Sequence, residues 1–493
     1  MFSGIMRTNR GRIVPPMAAL AAAALVAAAL APLAAAGPAA AAPAAAAPAA
    51  VINGSATYQR IAGFGASEAF GQADTLMNAA AATQRQALNL LYSPISGAGL
   101  TILRNEISAD AGITIEPTAP SSPAARPAYL PLGNDQGQEW LAQTIRADYG
   151  VTNVFADAWS APAFMKTNDS AINGGTLCGV PSATCASGDW RQAYANYLAR
   201  YATDYAADGI NLTYLGPENE ADIGPGYDSM LLTPAQTANF LDVLGPTLAR
   251  SGLRTKVECC ATEGWDYAQQ YAAAIEADPV ANSYTPLFTS HGYTEAPASP
   301  LAGWAKPAWE TEWSTFETWD PAWDDGTDAS GLTWAQHIYT GLTAANLSAF
   351  LYWWGSTTPS ENGDNEGLLQ INGSTVTPSG RLWAFANYSR FVRPGAVRIG
   401  ASSPDSGIEL TAFKNTDGSV AIVALNTATS AVAVPFAVRG TGLRNRTVAT
   451  PYLTDTSHDT AAQPAITVAG GNFRATVPAR SLVTYDIPAP PGR

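Results

Sequence analysis

Eight short apolar runs alternate with helical patterns between Ile61 and about Arg393, and this alternation limits the chain to a parallel sheet covered by helices. Eight strands favour a (β/α)8 barrel, the TIM barrel of the α/β class, over a doubly wound sheet, because no Gly-rich phosphate loop follows the first strand. The predicted strands are Ile61–Ala66, Leu100–Glu106, Val151–Trp159, Ile210–Pro217, Thr255–Ala261, Pro286–Tyr293, Pro307–Trp313 and Ala349–Gly355. The predicted helices are Thr75–Tyr92, Gln138–Tyr149, Trp190–Ala207, Pro234–Ser251, Tyr267–Ala277, Thr333–Asn346 and Pro378–Val392.

After Pro394 the pattern changes to period-two alternation, with turn residues between the runs. This predicts an antiparallel β-sandwich over residues 394–493, beside a barrel over residues 61–393. Residues 51–60 are expected to add a strand to the sandwich, whose role is either packing against the barrel or binding carbohydrate. The predicted sandwich strands are Gly407–Lys414, Ser419–Asn426, Ala431–Val438, Thr447–Leu453, Phe473–Val477 and Ser481–Ile487.

The first 50 residues have the features of a secretory signal. Arg7, Arg10 and Arg12 form a basic region, the apolar stretch Met17–Ala36 follows, and an Ala/Pro run continues to about residue 50. We therefore predict a cleaved leader over residues 1–50 and a secreted, extracellular protein. A retained membrane anchor is the alternative, because the apolar stretch approaches the roughly 20 residues that span a bilayer, but alanine is only weakly hydrophobic.

The formal net charge of −14 at pH 7 limits the possible partners. A nucleic-acid-binding protein needs a basic face, and anionic lipid repels an acidic surface. We therefore expect neither nucleic acid nor, after cleavage of the leader, a membrane as partner. A neutral polysaccharide fits the charge best, and a monomer is the expected state.

The four cysteines are consistent with an oxidising compartment. Cys178 and Cys185 bracket a short loop and are predicted to pair. Cys259 and Cys260 are adjacent, and the sequence leaves open whether they form a vicinal disulfide or stay reduced. The three histidines show no metal-ligand spacing, so we predict no metal and no cofactor.

Two glutamates, Glu220 and Glu312, follow apolar runs and lie 92 residues apart. A barrel of about 250 residues repeats roughly every 31 residues, so the spacing corresponds to about three repeats and predicts the ends of barrel strands 4 and 7. Two carboxylates from different strand ends, among aromatic residues, are what glycosidic bond hydrolysis requires. Glu218 and Glu310 lie two residues earlier and are rivals, because they could share a face with the favoured pair.

Other polar and aromatic residues at the predicted strand ends complete a candidate site. A cation such as Arg104 would favour the ionised form of a nucleophilic carboxylate, and Tyr293 could donate a hydrogen bond to it. Asn219 is expected to bind a sugar hydroxyl beside the reacting carbon. Tryptophans at strand ends, including Trp354, can stack on sugar rings. The predicted substrate-binding residues are Arg104, Trp159, Asn219, His291, Tyr293 and Trp353.

Five segments resemble glycoside hydrolase family 30, and they occur along the barrel in the family's order. The Trp-Ser-x-Pro-x-x-Met-Lys-x-Asn string is the most specific of them. The organisation predicted above, a barrel with a side β-sandwich built from both chain ends, is also that of the family. The matching segments are Gly63–Phe70, Trp159–Asn168, Gly216–Glu220, Ser290–Tyr293 and Trp309–Glu312.

The resemblance implies a retaining mechanism, in which Glu220 matches the acid/base and Glu312 the nucleophile. It also implies that Arg104, Trp159, Asn219 and Tyr293 line the cleft. One departure is that the Asn-Glu-Pro of many related enzymes is Asn-Glu-Ala here, ending at residue 221. The lost proline changes loop stiffness more than chemistry.

The opening Ser-Glu-Ala-Phe motif, residues 67–70, is most similar to the xylan-cleaving branch of the family, so an endo-β-1,4-xylanase is expected. Gln72 stands where recognition of a glucuronate side group would need an arginine, which disfavours dependence on glucuronate. The alternatives are an endo-β-1,6-galactanase or β-1,6-glucanase of the same family, and a non-catalytic polysaccharide-binding protein. Endo or exo action is expected to depend on the insertions at residues 109–135 and 168–189.

Overall fold

The computed structural model describes residues 49–133, 135–359 and 365–490. The predicted leader therefore lies outside the described residues, apart from its last two. Strand β1 (Ala50–Arg60) pairs antiparallel with one strand of the C-terminal domain and parallel with another. None of the described helices has the length and apolarity needed to cross a bilayer.

The next eight strands form a closed parallel barrel, as predicted. Each strand pairs in parallel with the next along the chain, and β9 closes the barrel by pairing with both β2 and β8. Apolar side chains such as Phe155 and Trp309 fill its interior. The strands are β2 (Gly63–Ser67), β3 (Ile102–Ile107), β4 (Asn153–Ala158), β5 (Tyr214–Gly216), β6 (Lys256–Thr262), β7 (Leu287–His291), β8 (Ala308–Glu312) and β9 (Ala349–Thr357).

The helices surround the barrel and differ from the prediction in two places. The single helix predicted over 75–92 is wrong, because Ala79 and Ala80 adopt extended backbone conformations that divide it into α1 and α2. The unpredicted α7 is capped by Asp278, which accepts hydrogen bonds from the first turn. The helices are α1 (Gln72–Asn78), α2 (Ala81–Tyr92), α3 (Gln138–Tyr149), α4 (Arg191–Ala207), α5 (Pro234–Arg250), α6 (Trp265–Ala277), α7 (Pro279–Tyr284), α8 (Gly331–Thr343) and α9 (Gly380–Ser389).

A hairpin of β10 (Gly367–Asn372) and β11 (Thr375–Pro378) extends the barrel sheet beside β9 and was not predicted. Asn372 pairs with Thr375, so the turn consists of Gly373 and Ser374, and Gly373 has a φ of 60°. Gly-Ser between two apolar runs is a hairpin signal, because the first position of such a turn has positive φ and favours glycine.

The C-terminal domain is the predicted β-sandwich. Its strands hydrogen-bond in the order β17-β16-β18-β19-β15-β1-β12-β13-β14-β20, and β16 also pairs with β20. Three of its strands, β12, β17 and β18, were not predicted. They are short, and their apolar and polar residues do not alternate clearly enough to stand out. The strands are β12 (Val397–Ser402), β13 (Ile408–Lys414), β14 (Val420–Asn426), β15 (Val432–Arg439), β16 (Arg446–Asp455), β17 (His458–Ala462), β18 (Ile466–Ala469), β19 (Asn472–Val477) and β20 (Ser481–Ile487).

Helices α8 and α9 attach the sandwich to the barrel. On α9, the backbone carbonyl of Asn387 accepts a hydrogen bond from Thr484 on β20 at 2.6 Å. On α8, the amide of Gln336 donates to the carboxylate of Glu409 on β13 at 2.7 Å. These contacts hold the sandwich against one side of the barrel and leave the C-terminal ends of the barrel strands open.

Candidate active site

Glu220 follows β5 and turns back over the barrel axis. Its φ of 47° is left-handed, a conformation uncommon for residues other than glycine, and its N–H donates to the carbonyl of Ala261 at 2.8 Å. The rival Glu218 is buried, and its carboxylate accepts a hydrogen bond from Thr237 of α5 at 2.9 Å. The two glutamates therefore do not share a face, and only Glu220 reaches the cleft.

Glu312 ends β8, where a β-bulge separates it from its rival Glu310. Ser290 of β7 pairs with Glu310, but the next residue, His291, pairs with Glu312, so β8 carries one extra residue between its two glutamates. Glu310 points into the helical layer and accepts a hydrogen bond from the indole of Trp265 at 2.7 Å. The bulge turns Glu312 to the opposite side, into the barrel mouth.

Arg104, from β3, lies beneath the two glutamates and is fully buried. Its guanidinium donates to Glu312, to Asp157 at 2.6 Å and to Asn219 at 2.5 Å. Because arginine can only donate, the atom of Asn219 that faces it is the carbonyl oxygen, and the amide nitrogen of Asn219 is turned away. The guanidinium carbon also lies 4.5 Å from the ring centre of Trp159.

His291 lies between the two carboxylates. Its Nδ1 is 3.0 Å from Glu220 and its Nε2 is 3.7 Å from Glu312. Burial lowers the pKa of His291 to about 4, so the ring is neutral near pH 7. Nε2 faces a donor of Arg104 at 3.5 Å, which assigns the ring proton to Nδ1, where it donates to Glu220.

The two glutamates have different partners and different electrostatic surroundings. Burial raises the pKa of Glu220 to about 7, against smaller lowering effects of the hydrogen bond from Tyr227 and of the Arg104 charge. Burial also raises the pKa of Glu312, and the charge of Arg104 and its hydrogen bond oppose this effect. Glu312 additionally accepts a hydrogen bond from Tyr293 at 2.9 Å. The direct cationic donor on Glu312 favours its ionised form, whereas Glu220 retains a proton up to near neutral pH.

One oxygen of Glu220, one ring nitrogen of His291 and one oxygen of Glu312 lie within 4.8 Å of one another. The carboxylates of Glu220 and Glu312 therefore face each other across the mouth of the barrel. Both carboxylates are about 5% exposed and open into a cleft of about 450 Å³. The geometry thus places two carboxyl groups at the same cleft, one with a pKa raised to about 7 and one whose ionised form a neighbouring cation favours.

Aromatic side chains form much of the cleft wall. Trp159 and Trp353 lie 5.9 Å apart, and Trp353 stacks on Trp354 at 5.2 Å between ring centres. On the other side, Tyr293 stacks on Phe316 at 5.7 Å. The described lining residues are Phe70, Trp159, Glu220, Ile223, Tyr227, Glu263, Tyr293, Glu312, Phe316, Trp353, Trp354 and Glu366, and none of them is basic.

Five of the predicted site residues line this cleft, and three lie beneath it. Arg104, Asn219 and His291 are at most 2% exposed and contact the glutamates or each other, so their direct binding of substrate stays a prediction. Gln72, which the sequence places where glucuronate recognition would need an arginine, is buried and does not line the cleft. No described residue of the insertions at 109–135 and 168–189 lines it either.

Five lining residues were not predicted from the sequence, all in loops that follow a barrel strand or precede β10; the remaining one, Glu263, directly follows β6 at a strand end. Their position was the available signal, since barrel enzymes carry their sites on these loops. Phe70 contacts Trp159, Trp353 and Tyr227 at 5.7–6.2 Å between ring centres. The missed residues are Phe70, Ile223, Tyr227, Phe316 and Glu366.

Comparison with known proteins identifies the family of the chain. Residues 140–304 match the glycosyl hydrolase family 30 TIM-barrel domain, and residues 395–485 match the β-sandwich domain of the same family. The solved catalytic domain of a glycoside hydrolase family 30 xylanase C from Talaromyces cellulolyticus is 43% identical, with 89% of this chain and 100% of that chain covered and a TM-score of 0.83. The chain belongs to glycoside hydrolase family 30.

Other relatives of this family 30 chain differ in the polysaccharide that their names state. The glucuronoxylanase XynC of Bacillus subtilis is 26% identical over 366 residues, which cover 71% of this chain and 78% of that protein. The endo-1,6-β-D-glucanase neg1 of Aspergillus fumigatus is 23% identical over 406 residues, covering 75% and 79%. This chain is therefore a glycoside hydrolase whose relatives include enzymes for more than one glycan.

Among the described residues of this family 30 barrel, two groups could offer ligands to a metal ion. In the group of Glu220, His291 and Glu312, the Arg104 guanidinium already donates to Glu312, and its charge opposes a second cation. In the group of Glu218 with two cysteines, the sulfurs are joined to each other and offer no thiolate. Neither group is arranged to favour a cation.

Two disulfides are present. Cys178 pairs with Cys185, as predicted, and Cys259 pairs with its neighbour Cys260, which is one of the two alternatives that the sequence left open. The vicinal pair lies in β6, directly before Ala261. Since the carbonyl of Ala261 accepts the N–H of Glu220, the oxidised pair lies next to the backbone that positions this glutamate.

Proposed function

We propose that the chain is a retaining endo-β-1,4-xylanase in which Glu312 is the nucleophile and Glu220 the acid/base. The observation that carries the retaining mechanism is that one oxygen of Glu220 and one oxygen of Glu312 lie no more than 4.8 Å apart. Retaining enzymes hold their carboxyl groups about 5–5.5 Å apart, whereas inverting enzymes need roughly 6.5–9.5 Å to admit a water molecule between them and the sugar.

In the first step, Glu312 attacks the anomeric carbon while protonated Glu220 gives its proton to the leaving glycosidic oxygen. The result is a glycosyl ester on Glu312 and a free chain end. Arg104 and Tyr293 donate to the attacking carboxylate and hold it in position. Asn219 directs its oxygen to Arg104, so its amide nitrogen remains to donate to a sugar hydroxyl next to the reacting carbon.

In the second step, ionised Glu220 accepts a proton from water, and the water oxygen attacks the anomeric carbon of the ester. Glu312 leaves, and the second inversion restores the β configuration. The neutral His291 ring donates to Glu220 throughout and keeps its carboxylate directed at the reacting oxygen. One residue thus serves as acid and then as base.

Xylan is the substrate that the relatives and the cleft support best. Xylose units are neutral, and the four glutamates of the cleft wall, with no basic residue among its described members, disfavour an anionic group in the cleft. Glucuronate side groups are therefore not required. The two longest insertions lie away from the described cleft wall, which supports cleavage within a chain rather than at its end.

We also propose that the enzyme acts outside the cell as a monomer. The basic N-terminal region, the alanine-rich stretch after it and the two disulfides support export. N-terminal sequencing of protein recovered from the culture medium tests this: a start near residue 50 is expected, and retention of residues 1–36 in a membrane fraction would contradict it.

The activity is tested by product analysis after separate incubation with glucuronoxylan, arabinoxylan, β-1,6-galactan and β-1,6-glucan. Short xylo-oligosaccharides of several lengths from both xylans are the expected result. Products from glucuronoxylan alone would contradict independence from glucuronate. Galacto- or gluco-oligosaccharides would instead identify the substrate as that of another branch of the family. The roles of both glutamates would stay unchanged.

A further inference from the structure

A second groove lies where the barrel meets the sandwich, away from the two catalytic glutamates. Its volume is about 340 Å³, within the range of roughly 300–1,000 Å³ typical of small-molecule sites. The barrel contributes the loop before α8 and the start of α9, and the sandwich contributes the turn between β16 and β17. The residues that define it are Trp323, Asp324, Trp383, Asp455, Thr456 and Asp459.

The groove combines indole rings with carboxylates. Trp383 is only 8% exposed, and its indole N–H has no hydrogen-bond partner among the described residues. This N–H is not one of the fully buried polar atoms, so it reaches solvent and is available to a ligand that accepts a hydrogen bond. Thr456 and Asp459 are exposed at the rim and take part in none of the described hydrogen bonds, so their polar groups remain available.

Contacts to the sandwich hold the opposite wall in place. The indole of Trp323 donates to the carbonyl of Arg480 at 2.8 Å, and Arg480 also forms an ion pair with Asp324. The ring of Trp323 is therefore fixed before any ligand arrives. A preorganised aromatic surface loses little conformational entropy on binding, which favours a weakly polar ligand such as a sugar ring.

The chemistry of the lining selects against charged ligands. No lysine or arginine belongs to the described lining, and three aspartates do, so an anion is disfavoured. The aspartates do not form a group of ligand atoms close enough to hold a metal ion in the described structure. Carboxylates, a hydroxyl and an indole N–H beside aromatic rings are suited to the hydroxyl groups of a neutral saccharide.

The same chain segments line the groove and the catalytic cleft. The segment between β8 and α8 contributes Phe316 to the cleft and Trp323 to the groove. On the neighbouring hairpin, Glu366 lies in the cleft just before β10 and Pro378 ends β11 in the groove. The cleft and the groove are therefore built on the same chain segments, and on the hairpin Pro378 pairs with Leu369, three residues after Glu366.

We propose that this groove binds a neutral segment of the same xylan chain that the cleft cleaves. The inference rests on the proposed function for the identity of the polymer, but not for the existence of the site. Sugar units bound here would hold a long chain to the enzyme without touching the catalytic residues. Long substrates would gain affinity, and short ones would not.

The test uses the full chain with Glu312→Gln, which prevents hydrolysis, and measures depletion of the protein by insoluble arabinoxylan. Trp383→Phe removes the indole N–H but keeps an aromatic ring, and the pair Thr456→Ala with Asp459→Ala alters only the exposed rim. Each should weaken binding roughly 3- to 10-fold, the effect of losing one or two hydrogen bonds. The matched control replaces the exposed Asp148 and Thr467 by alanine and should leave binding unchanged.

The same groove substitutions in the active enzyme should leave kcat/KM for an aryl β-xylobioside within twofold of the parent, because this substrate occupies only the cleft. Xylan binding equal to that of the control in both groove variants would overturn the proposal, as would loss of binding on addition of EDTA alone. If the enzyme does not hydrolyse xylan at all, the proposed function fails. The same depletion experiment, carried out with the polysaccharide that the enzyme does hydrolyse, then tests the groove separately.

Discussion

The guanidinium of Arg104 donates to the carboxylate of Glu312, although 208 residues separate them in the chain. The same group holds Asp157 at 2.6 Å and Asn219 at 2.5 Å. Asn219 directly precedes Glu220. One buried cation from β3 therefore holds the nucleophile of the proposed mechanism and the residue beside its acid/base. It connects β3 with β4, with the loop after β5 and with β8.

The roles of the two glutamates are separable by azide rescue. Glu312→Ala should lose about 10⁴-fold or more in kcat, as expected when the nucleophile of a cooperating unit is removed, and azide should restore turnover with an α-glycosyl azide as product. Glu220→Ala should lose roughly 10²–10⁴-fold and, with an activated aryl glycoside, yield the β-glycosyl azide. NMR of the products distinguishes the anomers, and the same anomer from both variants would exclude the assignment. Glu310→Gln is the register control and should remain unable to form a glycosyl azide.

Replacing Arg104 by methionine should affect activity and stability together. Loss of the cation removes an influence that lowers the pKa of Glu312, so the acid limb of the kcat/KM profile should move to higher pH. Asp157 would be left buried beside Glu258 without a cationic partner, which costs about 3–5 kcal/mol in the free energy of unfolding. Denaturant unfolding and pH–rate measurements check both effects. Arg200→Met, which removes the exposed pair with Asp204, should change stability by no more than about 1 kcal/mol.

Activity should fall as the pH rises through about 7, the raised pKa of Glu220. The reason is that an acid catalyst must carry its proton when the substrate binds, and raising the pH above the pKa removes it. The pH profile of kcat/KM on xylan measures this limb. With a 2,4-dinitrophenyl glycoside, whose leaving group needs no protonation, the limb should flatten; an unchanged limb would assign it to another group.

Tyr227→Phe should shift the same limb upward. The hydroxyl of Tyr227 donates to Glu220 at 3.1 Å and lowers the pKa of that carboxyl group, so its removal should favour the protonated form at higher pH. The ring remains to contact Phe70, so KM for short substrates should change little. Tyr267→Phe, at an exposed position on α6, is the matched control. A fall in kcat without any shift of the limb would indicate a steric role for Tyr227 instead.

Much of the fold follows from local pattern. The eight apolar runs became β2–β9 because strands buried on both faces must be continuously apolar over a short length, and the helices between them carry the matching amphipathic period. The division of the first helix at Ala79 and Ala80 was not predictable, since alanine favours a helix and only tertiary packing overrides that preference. The Gly373-Ser374 turn between β10 and β11, by contrast, carried a readable signal, because glycine followed by serine between two apolar runs is typical of a hairpin.

The sequence by itself determined which residues could do chemistry: the spacing of Glu220 and Glu312 reflects the barrel repeat, and strand-end positions follow from that repeat alone. Spacing and alternation could not choose Glu312 over Glu310, because a period of two places residues two apart on the same face, and only the family resemblance favoured Glu312. The tertiary structure decided this through a bulge between β7 and β8, which exists only once the two strands pair. Likewise, Arg104 could be predicted as a site residue from the sequence. Its simultaneous hydrogen bonds to Asp157, Asn219 and Glu312 depend on closure of the barrel, because those residues come from separate parts of the barrel sheet.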